Sequence, residues 1–219
     1  MYKAITSHFL LVIAAFISAN SLRAYADIND CSNLITEALN SVISISISEN
    51  NNASGVIVGH NQVLTVAHAL PLNSPITAQL SFDHPAKIIA VHEGYDLALL
   101  STDTEGRLPV RLTSAKMAKQ QPVWAVGFNH KKQKVVSKGQ FLKTSYSGLL
   151  STAHVEPGQS GGALFQCQAD EVSLSGILQS FVARYENGSL VNKGRSSSVP
   201  ATAIQQFLET SQTKALAKR

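Results

Sequence analysis

Three residues have the types needed to turn a hydroxyl into a nucleophile. His68 follows an apolar run in VLTVAHAL (63–70), Asp96 precedes another in GYDLALLS (94–101), and Ser160 stands between glycines in PGQSGGAL (157–164). A serine hydroxyl is a poor nucleophile until a base takes its proton. An imidazole can take that proton and return it to a leaving group. A carboxylate can fix the imidazole tautomer and stabilise its cation. Taken singly, the His and the Asp say little, since such residues are commonly structural. The glycine-flanked serine is more specific, because glycines on both sides let a backbone loop approach a ligand closely.

Chain order decides which hydrolase chemistry fits. The segment Gly158-Gln159-Ser160-Gly161-Gly162 also satisfies G-x-S-x-G, a nucleophile elbow that requires the order Ser, acid, His. The histidines are at 8, 60, 68, 84, 92, 130 and 154, so none follows Ser160 and the elbow fails. An acid–His–Ser order is possible on paper, but the alternating helices of that α/β architecture are missing. The order left is His68, Asp96, Ser160.

With T-x-A-H, D-L-A-L-L and G-x-S-G-G in this order and spacing, the chain resembles the chymotrypsin-like (trypsin-fold) serine peptidases, most of all their small bacterial secreted or periplasmic members. The resemblance covers about residues 40–210. It implies two six-stranded β-barrels, with His68 and Asp96 from the first and Ser160 from the second. It also implies an acyl-enzyme on Ser160, no cofactor and no metal. The Gly158 and Ser160 N–H groups would form an oxyanion hole, each donor worth about 3–4 kcal/mol in the transition state.

The match departs from the family in two places. Gln159 stands where digestive relatives carry an Asp that pairs with a freshly cut N-terminus, and Asp27-Ile28-Asn29 does not resemble the activating sequence. Activation of that kind is not expected. His154, six residues before Ser160, stands where the base of the primary pocket is expected, and Leu178 matches the pocket wall. A Lys or Arg preference does not follow; small, apolar or acidic side chains remain open. Residues 177–181, with Gln179 and Ser180, are expected to form the edge that pairs with an extended substrate.

The elements that must position these residues read as short strands. Residues 43–48, Ile-Ser-Ile-Ser-Ile-Ser, alternate with period two. Asn50-Asn51-Asn52 marks a turn, and β-rich runs follow at 55–58, 63–67, 76–82, 87–92 and 97–101. A breaker-containing stretch, 102–121, has no strand pattern and reads as a linker. Strand-like runs resume at 123–128, 134–142, 149–155, 162–166, 172–183 and near 190–199. Lys131-Lys132-Gln133-Lys134 reads as a solvated hairpin tip. Residues 32–40 suggest a short helix capped by Ser32, and 201–212 a C-terminal helix with Ala203, Ile204, Phe207 and Leu208 on one face. The expected fold is all-β, with an N-terminal barrel at about 41–104, a C-terminal barrel at about 120–199 and the terminal helix after them.

Composition bounds the rest. In 219 residues, charged side chains make up only 15% against 44% hydrophobic, which excludes a disordered or fibrous chain. The formal net charge of +4 comes without a basic-aromatic stripe or zinc-ligand cluster, so nucleic acid is not an expected partner. Lys3, the apolar run 9–17 and Ala24-Tyr25-Ala26 have the order of a secretory signal over residues 1–26. That run is shorter than the roughly 20 apolar residues a membrane span needs. The expected product is a secreted or periplasmic monomer, without a stable membrane anchor, that acts on protein or peptide substrates. Cys31 and Cys167 are the only cysteines, so a disulfide in that compartment has one possible pairing. The chain stops soon after Pro200, so no following peptide-binding domain is expected. The alternative reading is a latent or catalytically inactive binding protein on the same fold, and a further one is an esterase or single-target peptidase.

Overall fold

The computed structural model describes residues 31, 35–48, 51–71, 75–146, 148–168, 171–186 and 188–216. The secretory segment 1–26, the Ser32 cap and Asn50 lie outside them. Within the described residues, the period-two pattern of the first strand works as expected. In β1 (Val42–Ser48), Ile43, Ile45 and Ile47 point inward to meet Ala53, Ile57, Val63, Ile76, Ala78 and Leu100.

β1 closes with β2 (Asn51–Gly59), β3 (Gln62–Val66), β4 (Ile76–Gln79), β5 (Asp83–His92) and β6 (Leu97–Ser101) into an antiparallel barrel of order β1-β2-β3-β6-β5-β4. A second closed barrel holds β7 (Pro122–Phe128), β8 (Lys134–Ser145), β9 (Gly148–Ser151), β10 (Ala163–Gln168), β11 (Glu171–Glu186) and β12 (Ser189–Pro200). Its order, β10-β11-β12-β9-β8-β7, retraces the first. One topology is therefore built twice with no sequence repeat. This is the all-β double barrel expected from the sequence.

The unbroken apolar runs around His68 and Asp96 have a simple cause: both faces of their strands are buried. Val63 and Leu100 fill the first barrel. Their neighbours Leu64, Val66, Leu97 and Leu99 face a core shared with Trp124, Val126, Phe165, Leu174 and Ile177 of the second barrel. The C-terminal helix α2 (Ala201–Leu216) inserts Ile204 and Phe207 into the same shared core and runs past the expected residue 212. Among the described residues no helix is long and apolar enough to cross a membrane.

Three local readings change. Asn51 and Asn52 belong to β2 rather than to a turn; Asn52 is buried and its Nδ2 donates to the Asn129 carbonyl at 2.9 Å. The 102–121 stretch is not a free linker. Val110 N donates to Ile57 O, while Thr113 N donates to Leu174 O and Leu174 N to Arg111 O, so it is stitched to both barrels. The short helix α1 spans Ile35–Ala38 and passes into a 3₁₀ turn at Leu39–Ser41. Cys31 and Cys167 are bridged, with Cα atoms 6.0 Å apart across a sequence separation of 136. The link ties the chain ahead of α1 to β10.

Candidate active site

His68 lies in the turn that leaves β3, where Leu70 N donates to Ala67 O at 3.0 Å. Asp96 closes the 3₁₀ turn Glu93–Tyr95 in a left-handed conformation, φ 55° and ψ 44°. Non-glycine residues adopt this region only when their surroundings impose it. Here three bonds impose it. Ala67 N donates to Asp96 O at 3.1 Å, His68 N to Oδ1 at 2.8 Å, and the His68 ring Nδ1 pairs with Oδ2 at 2.7 Å. Helix α2 braces the turn from behind: the Tyr95 hydroxyl donates to Gln206 Oε1 at 2.7 Å, and the Tyr95 ring stacks on His92 with centroids 4.2 Å apart. The imidazole remains half exposed, while the Asp96 side chain is largely covered.

Ser160 lies on the loop between β9 and β10. Its Oγ donates to the Gln179 carbonyl at 3.2 Å. The Gln179 amide Nε2 in turn donates to Asp96 Oδ2 at 3.0 Å. Gln179 is the extra residue of a bulge, where the β11–β12 register shifts between Leu178 and Ser180. A bulge re-aims a side chain, and here it sends the amide across to the first barrel. Asp96 is thus joined to His68 directly and to Ser160 through Gln179. No hydrogen bond joins Ser160 to His68.

The loop around Ser160 depends on its glycines. Gly158 has φ +94° and Gly161 φ +87°. A Cβ on Gly161 would lie 2.1 Å from Ser54 O, and one on Gly158 2.7 Å from the Asn129 carbonyl carbon. Gln159 is fully buried, and its Oε1 accepts from Glu156 N at 2.7 Å, which closes the loop on itself. Among the described residues the N–H groups of Gly158 and Ser160 have no acceptor.

Of the residues expected to contact substrate, the Gln179 side chain is committed to Asp96, and Ser180 is exposed beside Ser197. The His154 ring is half exposed and stands 3.8 Å from Glu156 Oε1, while the His154 backbone N–H donates to Ser137 Oγ at 2.7 Å. Beyond Leu178, which exchanges bonds with Gly161 and Gly162, no described strand pairs with the side of β11 that faces away from β12. A cleft of about 370 Å³ adjoins His68, lined by Leu70, Ile88, Val91 and Glu93 among others. No group of three metal-ligating side chains stands together among the described residues.

Sequence reasoning missed Ser54 and Thr65. Both are fully buried. Ser54 N donates to Ser160 O at 2.8 Å and its Oγ to Gly158 O at 3.0 Å. Thr65 Oγ1 donates to Ser54 O at 2.7 Å. Thr65 is the threonine of the T-x-A-H motif, but its bond to Ser54, 11 positions away, has no local signal, and nothing around Ser54 marks it.

Comparison with known proteins adds to this geometry. A family model described as a trypsin-like peptidase domain matches residues 53–173, more than half of the chain. No curated protein matches the sequence. Among solved structures, the chain is similar to a serine endoprotease from Yersinia pestis (TM-score 0.72, 20% identity), covering 83% of this chain and 66% of that one. It is also similar to Rv3671c from M. tuberculosis H37Rv, solved as an inactive serine-to-alanine mutant (TM-score 0.69, 15% identity), with 82% of this chain and 90% of that one covered. A further structure of the Rv3671c protease in an inactive form gives TM-score 0.68 at 15% identity, with coverage of 81% and 92%. The chain spans just under two thirds of the Yersinia pestis protein.

Proposed function

The chain belongs to the trypsin-like peptidase family, and on that premise we propose that it is an extracytoplasmic serine endopeptidase working through His68, Asp96 and Ser160. The observation that carries the reading is the linkage of Asp96 to His68 at 2.7 Å and, through Gln179, to Ser160.

In this mechanism Ser160 Oγ leaves the Gln179 carbonyl by rotating about its Cα–Cβ bond. It gives its proton to His68 Nε2 and attacks the scissile carbonyl carbon. Asp96 holds the Nδ1 proton and stabilises the imidazolium. The Gly158 and Ser160 N–H groups take the oxyanion, which suits their having no other acceptor among the described residues. The tetrahedral intermediate collapses, the C–N bond breaks, and the leaving amine takes the proton from His68. Water, deprotonated by His68, then hydrolyses the acyl-Ser160 ester. Protein or peptide substrates would lie extended along the open edge of β11 from Gln179, with His154 and Ser180 near them. The secretory pattern of residues 1–26 and the disulfide fit a secreted or periplasmic location.

One observation favours a second reading, a latent or non-catalytic binding protein: Ser160 Oγ is bonded to Gln179 O and not to His68. Fluorophosphonate labelling of the mature protein, read by intact mass beside Ser160→Ala, separates the two. A single adduct on the wild type and none on the variant is expected. A folded wild type that takes no adduct would replace the peptidase with the latent protein.

A further inference from the structure

We propose that the Ser54 hydroxyl is the positioning group of the oxyanion loop, held out from the first barrel to set the backbone of the second. The inference rests on the reading of Ser160 as nucleophile. Ser54 is fully buried on β2, and all its polar atoms are used. Its N–H donates to Ser160 O at 2.8 Å, its Oγ donates to Gly158 O at 3.0 Å and accepts from Phe128 N at 2.8 Å, and its carbonyl accepts from Thr65 Oγ1 at 2.7 Å. Every bond but the last crosses between barrels.

The consequence follows from peptide planarity. The Ser160 N–H belongs to the peptide unit 159–160. The carbonyl just before that unit, of Gly158, is held by Ser54 Oγ, and the one just after it, of Ser160, by Ser54 N–H. The unit is therefore fixed at both ends by one residue, and the Ser160 N–H cannot swing without breaking a buried bond. Gly158 is held in the same way at its carbonyl, which sets its N–H through φ +94°. Only a group that donates and accepts at once serves both Gly158 O and Phe128 N, and a hydroxyl does so. The closeness is enforced by Gly161, whose absent Cβ would lie 2.1 Å from Ser54 O. Ser54 touches no reacting atom. It acts through the loop, so its loss weakens transition-state binding and leaves ground-state binding in place.

The test uses the full mature chain and a rhodamine fluorophosphonate, whose phosphoryl oxygen occupies the oxyanion position. The maximal inactivation rate and the half-saturating probe concentration are measured for wild type, Ser54→Ala, Ser54→Thr and Thr65→Val. Amide exchange of residues 156–162 and urea stability are read in parallel. For Ser54→Ala the rate falls on the order of 10- to 100-fold, the scale of a catalytic group displaced by about 1 Å, while half-saturation is unchanged and the loop exchanges faster. Ser54→Thr, which keeps the hydroxyl, restores rate and protection. Thr65→Val removes a buried bond of the same network but leaves both loop contacts; it lowers stability and keeps the rate. If Ser54→Ala does not fold, Ser54→Cys takes its place, since sulfur is a poor donor and acceptor. Equal rate losses in Thr65→Val and Ser54→Ala, or an unaltered rate in Ser54→Ala, overturn the proposal. A wild type that does not react sinks the peptidase reading alone. Exchange then decides: a loop no looser in Ser54→Ala than in Thr65→Val rejects the role of Ser54.

Discussion

Reducing the Cys31–Cys167 bridge is the perturbation with the most directly calculable size. The two cysteines are 136 positions apart, so the link encloses the first barrel and most of the second. The loss of chain entropy in an unfolded loop of that length corresponds to about 5 kcal/mol at 25 °C. Native contacts change little on reduction, because Cys31 is buried in the shared core and its carbonyl accepts from Ile35 N at 2.9 Å. The effect should therefore lie almost wholly in the unfolded state. Set against a total stability of about 5–15 kcal/mol, it leaves a marginal fold. With a urea m-value of about 2 kcal/mol per molar, the unfolding midpoint should drop by roughly 2.5 M. Trp124, the only tryptophan and 3% exposed in the same core, reports the transition by fluorescence. The comparison is between oxidised protein and protein reduced to two titratable thiols, with the Cys31→Ala/Cys167→Ala chain as a check on reductant effects. A midpoint that moves by less than about 0.5 M at unchanged slope would refute the loop-constraint reasoning.

Three other outcomes follow from single contacts. Gln179→Leu keeps the bulk and removes the amide that donates to Asp96 Oδ2 at 3.0 Å; a bond to a charged group is worth about 1.5–3 kcal/mol, so fluorophosphonate reaction should slow at least about 10-fold with little change in Tm, and an unaltered rate would exclude a role for that amide. Gly161→Ala places a methyl 2.1 Å from Ser54 O at φ +87°, so Tm should fall by at least about 10 °C, and a wild-type Tm would contradict the tight approach of the barrels. Glu105 is held down to a pKa of about 2, with hydrogen bonding to Ser81 the largest cause and the His84 ring and Phe82 N–H adding to it against the effect of burial. A depressed carboxyl pKa stabilises the fold above its ordinary value of 4.5, and that contribution is lost as pH falls towards 2. Glu105→Gln should therefore flatten the acid limb of stability against pH between those values, and an unchanged limb in urea titrations would show that Glu105 does not matter there.

The catalytic candidates were legible because their chemistry is carried by residue type and order. Seven histidines that all precede Ser160 exclude the elbow order, and the strand-rich pattern without alternating helices leaves His68, Asp96, Ser160. The barrels were legible because burial writes a period of two into strands such as Ile43-Ser44-Ile45-Ser46-Ile47. Boundaries were less so. The β11–β12 hairpin runs well beyond the pattern at 172–183, since main-chain pairing continues where side chains are half exposed. Asn52, read as a turn residue, is a buried strand residue whose amide is satisfied by Asn129, 77 positions away.

From the sequence alone come the fold class, the three candidate catalytic side chains and the glycines that flank Ser160. These depend on local periodicity, on residue chemistry and on chain order. The tertiary structure decides what holds them in register. It gives Gln179, expected as a substrate contact, a link to Asp96 across 83 positions and so on to Ser160. It sets Ser54 against Gly158 across 104, and it points Ser160 Oγ at a carbonyl instead of the imidazole. The physical reason is directionality. Hydrophobic burial is non-directional and leaves its mark in the local pattern of residues. A hydrogen bond depends on distance and angle between groups that only the closed barrels bring together.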